Sequence, residues 1–216
     1  MTKPLRPEQS GMPTQIWLAS RSPRRLELLQ TLGLQVRVFL AQNSPEAEAL
    51  EAPFENEDPL LYVQRVTQLK LNAALAAMRM QQLSGLVLAA DTTVALNGTI
   101  LGKPQNDAEA FQMLRSLSNT THQVHTAVAG AWLNAIGRNT ASKNTVQTSH
   151  VEFATLPETF IHAYIASGEP FDKAGAYGIQ GIAGQYVRHI SGSHSGIMGL
   201  PLFETSELMR HIQTAA

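Results

Sequence analysis

The chain contains 216 residues, of which 44% are hydrophobic and 15% are charged, and its formal net charge is −1. This length and composition indicate a folded globular protein with a substantial core and exclude a disordered chain. The nearly neutral charge argues against a protein that mainly holds nucleic acid, because such a protein needs a basic face. The absence of cysteine excludes disulfides and thiolate chemistry and is compatible with the cytoplasm.

We expect a soluble, cytoplasmic protein, because no apolar run approaches the roughly 20 residues that a membrane span requires. Residues 1–15 are polar, contain prolines and lack the apolar core of a signal peptide. They are predicted to form a flexible N-terminal extension, and residues 16–216 are predicted to form a single domain.

A predicted strand at residues 16–19 is followed by a polar turn and a helix that ends at Gly33. Ser22 suits the N-cap of this helix, and a proline follows at its first position. Arg24 and Arg25 then occupy the first turn, where the helix dipole already presents partial positive charge. A bound phosphate would explain these cations, since hydroxyl, N–H and guanidinium groups together form an anion site. The alternative is that the arginines pair with surface carboxylates.

An acidic stretch follows the second predicted strand, which spans residues 35–39. Residues 41–58 hold six carboxylates and no base, and we interpret them as a mobile solvated loop. The alternative is that one of these carboxylates helps to hold a divalent metal. Asp58 is predicted to cap a helix that runs to about Gln82, with Lys70 on or beside its apolar stripe. The residues assigned to that stripe are Val63, Val66, Leu69, Ala73, Ala76, Ala77 and Met80.

Residues 86–90 are all apolar and predict a strand that is buried on both faces. Asp91 is predicted to stand at the tip of this strand, where open α/β sheets place their ligands. The alternative is an aspartate that only caps a turn. Residues 94–101 predict a hairpin with an Asn-Gly turn, which would carry Lys103 back toward Asp91.

The remaining elements indicate a mixed α/β fold. Capping-box spacings at Asn106 and Thr155 predict the starts of two helices, the second of which ends at Ser167. A closing helix begins at Pro201. Further strands are predicted over residues 122–133, 143–153 and 185–190. The glycine-rich segment 172–184 indicates a backbone that closely approaches a ligand or another strand.

Four polar patches together supply cations, a carboxylate and a glycine-rich wall, at residues 22–25, 91–92, 102–104 and 172–180. Such groups suit the hydrolysis of a phosphoanhydride, since arginine and lysine neutralise non-bridging oxygens while a carboxylate activates water or shares a metal. A P-loop is excluded because Gly102-Lys103 is followed by proline. The histidines form no His-Glu-x-x-His motif, and structural roles are favoured for His122 and His125.

In this order the patches resemble the motifs of the Maf family of nucleoside triphosphate pyrophosphatases. The resembling segments are Leu-Ala-Ser-Arg-Ser-Pro-Arg-Arg (18–25), Ala-Asp-Thr-Thr-Val (90–94), Gly-Lys-Pro (102–104), His-Gln-Val-His-Thr (122–126), Asp-Lys-Ala-Gly-Ala-Tyr-Gly-Ile-Gln-Gly (172–181) and Gly-Leu-Pro (199–201). The resemblance implies an α/β fold with an elongated mixed β-sheet flanked by helices, in two lobes with a central cleft. It also implies a homodimer that hydrolyses a nucleoside triphosphate to the monophosphate and pyrophosphate with Mg²⁺ or Mn²⁺. Stable binding of nucleic acid or of a membrane is not implied.

By this resemblance Asp91 is the proton acceptor and shares the metal. The residues implied to bind the substrate are Ser22, Arg24, Arg25, Lys70, Thr92, Lys103 and Gln180. Arginine, threonine and glutamine at positions 24, 92 and 180 resemble the subgroup that acts on dTTP and UTP. Gln180 offers both a donor and an acceptor to a pyrimidine edge. The alternatives are a 7-methyl-GTP pyrophosphatase of the same family and a nucleotide-sensing regulator of septum formation.

The chain also departs from the family pattern after the second strand, where an acidic pair is usual. Residues 42–46 read Gln-Asn-Ser-Pro-Glu instead. Glu46 or Glu48 is the candidate for the second carboxylate on the metal side, and the alternative is that no residue replaces it.

Overall fold

The structure is a computed structural model that describes residues 11–41 and 52–216. The strands are β1 (Gln15–Leu18), β2 (Gln35–Val38), β3 (Gly85–Leu96), β4 (Thr99–Leu101), β5 (Thr121–Leu133), β6 (Asn139–Phe153) and β7 (Val187–Ser191). The helices are α1 (Pro23–Thr31), α2 (Pro59–Met80), α3 (Asp107–Leu117), α4 (Glu158–Ala166), α5 (His194–Ile197) and α6 (Leu202–Ala215). Short 3-10 turns occupy much of residues 169–186.

The strands form one mixed sheet of seven strands in the order β2-β1-β3-β5-β6-β7, and β4 pairs with β3. β1 lies parallel to both β2 and β3, whereas the other pairings are antiparallel. Helices pack on both faces, so the predicted α/β fold with a mixed sheet flanked by helices is confirmed. The division into two lobes stays a prediction.

The strand that carries Asp91 differs from the predicted one. Residues 86–90 and 94–96 belong to one continuous strand, β3, and Asp91 lies in its middle, opposite Ala127 of β5. The prediction that Asp91 stands at a strand tip is therefore wrong. On one edge of β3, pairing with β1 ends at Leu88, and pairing with β4 begins only at Val94. Asp91 thus lies where one edge of β3 is free of pairing strands among the described residues.

The two faces of β3 pack against different helices. Leu88 and Ala90 join a cluster with α1 and α6, whereas Val87 and Ala89 join a cluster with α2. A third cluster fills the far side of the molecule around α3 and α4. Because side chains alternate along a strand, Asp91 shares the α2 face and Thr92 shares the opposite one.

The helix starts follow the predicted caps in three of four cases. Ser22, Asp58 and Asn106 each accept hydrogen bonds from the first turn of their helix. The predicted capping box at Thr155 is wrong, because Pro157 is the N-cap and no side chain caps this helix. Thr155 consequently lies before the cap, out of reach of the first-turn N–H groups.

The buried face of α2 also differs from the predicted stripe in its second half. Val63 and Val66 are buried as expected, but Ala73 and Ala76 are exposed, and Met80 is 87% exposed. The residues buried in that half are Leu71, Ala74, Leu75 and Met78. Within the ranges 11–41 and 52–216, no helix is both long and apolar enough to cross a membrane.

Several predicted boundaries move. β6 begins at Asn139, directly after a tight turn in which the Asn134 side chain accepts from the Ile136 and Arg138 N–H groups. Residues 185–186 belong to a 3-10 turn, and β7 starts at Val187. Most of the predicted N-terminal extension lies outside the described residues. In its described part Pro13 is buried and Met12 packs against the α1 and α6 cluster.

Candidate active site

A cleft of about 840 Å³ opens at the free edge of β3. Its walls come from the α1 start, from α2, from β3 and from the glycine-rich segment. All the residues that the sequence singled out for the site line this one cleft: Ser22, Arg24, Arg25, Lys70, Asp91, Thr92, Lys103 and Gln180. The fold therefore brings together residues that lie between positions 22 and 180 of the chain.

Asp91 and Lys70 form an ion pair inside the cleft. The Lys70 Nζ lies 2.7 Å from Asp91 Oδ1, and both side chains are mostly shielded, with 26% and 15% of their area exposed. Lys70 reaches Asp91 because α2 packs on the face of β3 that carries this carboxylate. Asp91 Oδ2 makes no hydrogen bond to any of the described residues. It is thus available to accept a proton from a water molecule in the cleft.

Arg25 is held from the opposite face of β3 by three neutral acceptors. Its Nε donates to the Gly199 carbonyl (2.8 Å), Nη1 to Ser20 Oγ (3.1 Å) and Nη2 to Thr92 Oγ1 (3.2 Å). Burial lowers the pKa of Arg25, whereas the charge of Asp91 raises it and that of Arg24 lowers it. The guanidinium is always charged at neutral pH, so the cleft contains a partly buried cation with no directly bonded carboxylate among the described residues.

The hydroxyl chain behind Arg25 has a defined direction. Thr126 Oγ1 donates to the Gly196 carbonyl at 2.8 Å, so it accepts from Thr92 Oγ1 at 3.0 Å. Thr92 in turn accepts from Arg25. The Thr92 hydroxyl is thereby committed to orienting Arg25.

Arg24 lies across the cleft from the C-terminal part of the chain and contacts Asp172. Its Nη1 is 3.1 Å from Asp172 Oδ2, and Lys173 Nζ is 2.5 Å from Asp172 Oδ1. Burial raises the pKa of the Asp172 carboxyl, but hydrogen bonds from Lys173 and Arg24 outweigh it and leave that pKa below its ordinary value. A bound polyphosphate would compete with this carboxylate for the two cations.

The remaining predicted residues occupy the cleft with few protein contacts. Ser22 Oγ accepts from the Arg25 N–H as the N-cap of α1. The side chains of Lys103 and Gln180 are exposed and make no hydrogen bond within the described part of the chain. They are therefore free to contact a bound molecule.

The described residues offer limited ligands for a metal ion. Within residues 11–41 and 52–216, no three His, Asp or Glu side chains form a group that could hold a metal. Glu46 and Glu48 lie outside the described residues. Asp91 alone still fits Mg²⁺, because this ion is commonly held by one or two carboxylates together with substrate phosphates and water.

Several residues in or behind the cleft wall were not assigned from the sequence. Asp172 and Lys173 belong to the glycine-rich segment, but the pairing of Asp172 with Arg24 depends on a contact across 148 positions. Thr126 belongs to the segment His-Gln-Val-His-Thr (122–126), but the sequence predicts no role for it. No local signal indicates that its hydroxyl ends the chain that orients Arg25.

This cleft combines a shielded carboxylate with cations from several elements, which defines an enzyme-like site for a polyphosphate anion in an α/β protein. The family model described as Maf-like protein matches residues 15–212. The chain therefore belongs to the Maf family.

Similar proteins cover nearly the whole chain. It is 49% identical over 196 residues to the dTTP/UTP pyrophosphatase of Albidiferax ferrireducens, an alignment that covers 90% of this chain and 95% of that protein. It is 50% identical over 198 residues to the dTTP/UTP pyrophosphatase of Ralstonia nicotianae, with 90% and 92% covered. A protein of the same description from Methylobacillus flagellatus is 45% identical over 202 residues, which cover 94% of each chain.

Proposed function

We propose that this protein hydrolyses dTTP and UTP to the nucleoside monophosphate and pyrophosphate. The observation that carries the proposal is the position of Asp91, a carboxylate whose Oδ2 makes no hydrogen bond among the described residues, inside a cleft of about 840 Å³ that also holds Arg24, Arg25, Lys70 and Lys103. The relatives described as dTTP/UTP pyrophosphatases support the substrate assignment.

In the proposed reaction Asp91 accepts a proton from a water molecule, which attacks the α-phosphorus. A bond forms between the water oxygen and this phosphorus, and the bond to the oxygen that bridges the α- and β-phosphates breaks. Pyrophosphate leaves with that oxygen, and the proton remains on Asp91 until it is released to solvent. Lys70 holds Asp91 Oδ1, so that Oδ2 faces the reacting water.

The cations stabilise the negative charge that moves onto the leaving group. Arg25 is oriented before substrate arrives, because three protein acceptors already hold its guanidinium. Such preorganised donors need little rearrangement in the transition state. Arg24, Lys103 and the α1 start with Ser22 complete the binding of the triphosphate.

We extend the proposal to a divalent cation, Mg²⁺ or Mn²⁺, which Asp91 would hold together with phosphate oxygens of the substrate. When bound, this ion would neutralise phosphate charge and polarise the scissile phosphorus–oxygen bond. The proposal also retains a homodimer and a cytoplasmic location.

We assign the choice of base to Gln180, with Arg24 and Thr92 in support. The Gln180 amide is exposed in the cleft and can pair with the adjacent donor and acceptor of a uracil or thymine edge. Thr92 acts indirectly, because its hydroxyl orients Arg25.

The test is Asp91→Asn, assayed by pyrophosphate release from a panel of triphosphates with Mn²⁺ or Mg²⁺. We expect fast pyrophosphate release by the wild type to be confined to dTTP and UTP, with slower release from the other triphosphates, and the variant to lose about 10²–10⁴-fold in kcat while it still binds UTP. Asp107→Asn, which alters an exposed aspartate of α3, is the matched control and keeps wild-type activity. Wild-type turnover by Asp91→Asn would refute the assigned role.

The same panel separates the alternatives. Activity concentrated on 7-methyl-GTP would assign the chain to the other substrate class of the family. Tight binding without release of pyrophosphate would favour a nucleotide-sensing regulator.

A further inference from the structure

Gln180 lies in a tight turn of the glycine-rich segment. The Gly181 N–H donates to the Gly178 carbonyl at 3.1 Å, so Ile179 and Gln180 are the two central residues of this turn. Gln180 projects into the cleft from the turn, and its side chain makes no hydrogen bond among the described residues. The backbone of the turn therefore sets the point from which the Gln180 side chain reaches into the cleft.

Tyr164 of α4 contacts Gly178, the first residue of the turn, through its hydroxyl group. Its side chain is buried, and its hydroxyl accepts from the Gly178 N–H at 3.3 Å while it donates to Glu169 Oε1 at 3.0 Å. Gly178 is buried and its N–H has no other partner in the part of the chain that the structure describes. The hydroxyl thus satisfies a buried backbone donor that water does not reach.

Glu169 supports the last residue of the turn. Its carboxylate lies against Gly181 so closely that a methyl group added there would overlap Glu169 Oε1. Its backbone carbonyl accepts from Lys173 Nζ at 2.6 Å, which ties the support to the cation that also contacts Asp172. Both ends of the turn are therefore held by one hydrogen-bonded pair of side chains.

We propose that Tyr164 and Glu169 are positioning residues that determine base selectivity by holding the Gly178–Gly181 turn, and with it Gln180. The inference rests on the proposed function of Gln180 in recognising the base. Neither side chain lines the cleft, so both act through the turn. A displaced turn would move the Gln180 amide away from the pyrimidine edge without moving Asp91 or Arg25.

The test compares UTP with CTP in wild type and in Tyr164→Phe. These nucleotides share sugar and phosphates and differ at the base edge, where UTP offers an acceptor and CTP a donor. We expect the ratio of kcat/KM for UTP over CTP to fall by about 3- to 10-fold, the effect of one lost hydrogen bond. The change lies in KM for UTP, while kcat at saturation stays within about 2-fold, as for a binding contact outside the chemical step.

Tyr186→Phe is the matched control. Tyr164 and Tyr186 both pack against the Phe160 ring, but the Tyr186 hydroxyl makes no hydrogen bond among the described residues, so its removal leaves the UTP/CTP ratio unchanged. Equal losses for UTP and CTP in Tyr164→Phe would indicate a merely structural role and overturn the proposal. An unchanged ratio would overturn it as well.

Calorimetric binding of UTP and CTP in the Asp91→Asn background separates this inference from the proposed function. A fall in the UTP/CTP affinity ratio on adding Tyr164→Phe supports the inference even where wild-type protein releases no pyrophosphate. Gly181→Ala is a second variant, in which the added methyl group displaces Glu169, and the affinity ratio falls in the same direction. A wild-type ratio in both variants refutes the positioning role.

Discussion

At the scale of single residues, the orientation of Arg25 depends on a hydroxyl that does not line the cleft. Thr126 is fully buried and donates to the Gly196 carbonyl, which leaves its oxygen to accept from Thr92. Arg25 donates to Thr92 at the other end of this chain. The Gly196 carbonyl can only accept and the Arg25 guanidinium can only donate, so together they fix the direction of all three hydrogen bonds.

We therefore predict that Thr126→Val lowers kcat/KM for UTP severalfold, with a higher KM and also a lower kcat, because Arg25 both binds the substrate and stabilises the transition state. Valine keeps the shape of the side chain but leaves the Gly196 carbonyl without its donor and Thr92 without its acceptor. Unsatisfied buried groups of this kind cost about 1–3 kcal/mol, which urea unfolding measures alongside the kinetics.

Thr148→Val serves as the control for this experiment. The Thr148 hydroxyl bonds to His125 Nδ1, away from the cleft lining, so its loss changes stability but not KM. A wild-type KM in Thr126→Val would show that Arg25 keeps its orientation without the hydroxyl chain.

At the scale of elements, α2 carries both an N-cap at Asp58 and the Lys70 side chain that contacts Asp91. Asp58 Oδ1 accepts from the N–H groups of Leu60 and Leu61 at 2.9 and 3.1 Å. Twelve positions separate this cap from Lys70, and the intervening helix packs firmly through Val63 and Val66. The cap therefore stabilises the helix without setting the geometry of the ion pair with Asp91.

Asp58→Ala is expected to lower the free energy of unfolding by about 1 kcal/mol and to leave kcat and KM unchanged. Asp58→Asn is the control, because asparagine keeps an acceptor at the N-cap and preserves most of that stability. Urea unfolding and pyrophosphate release measure the two effects. Loss of activity in Asp58→Ala would show that fraying of the first turn is transmitted to Lys70.

The elements also explain what the sequence could predict. N-caps, apolar runs and the Asn-Gly turn are local signals, and most of them lead to the observed elements. The predicted face of α2 is wrong toward Met80 because small phase errors accumulate over a long helix and alanine marks a buried face weakly. Asp91 was placed at a strand end because a change from apolar to polar residues usually marks one, although pairing with β5 continues through it.

The parts of the site that could not be predicted from the sequence depend on contacts between distant segments. The resemblance to the family indicated every lining residue that was assigned, including Lys70 outside the quoted motifs, and all of these residues meet in the cleft. The link from Arg24 to Asp172 and the support of the Gln180 turn by Tyr164 depend on side-chain geometry across the fold. No periodicity or spacing encodes such contacts.

At the scale of the whole molecule, a buried histidine couples folding to pH. His122 is 1% exposed, and its ring packs against Phe153 and Tyr177 in the cluster beneath the glycine-rich segment. Its Nε2 lies 2.7 Å from the Tyr177 hydroxyl, whereas its Nδ1 is buried without a hydrogen-bond partner in the described residues. Burial lowers the pKa of His122 from 6.5 to about 4. The folded protein thus holds a neutral imidazole that the unfolded chain protonates more readily.

We predict that the stability of the molecule falls as the pH drops from about 6.5 toward 4. In this pH window His122 is protonated in the unfolded state and neutral in the folded state, so a lower pH favours unfolding. The pKa difference corresponds to about 3 kcal/mol, of which most is lost by pH 4. His122→Gln removes the titrating group, so its free energy of unfolding in urea changes less between pH 7 and pH 4.5.

His162→Gln, which alters an exposed histidine of α4, is the control and keeps the wild-type dependence of the free energy of unfolding on pH. If the free energy of unfolding depended on pH equally in His122→Gln and wild type, the acid sensitivity of the fold would arise from another group. His125 would be the next residue to test, because burial also lowers its pKa.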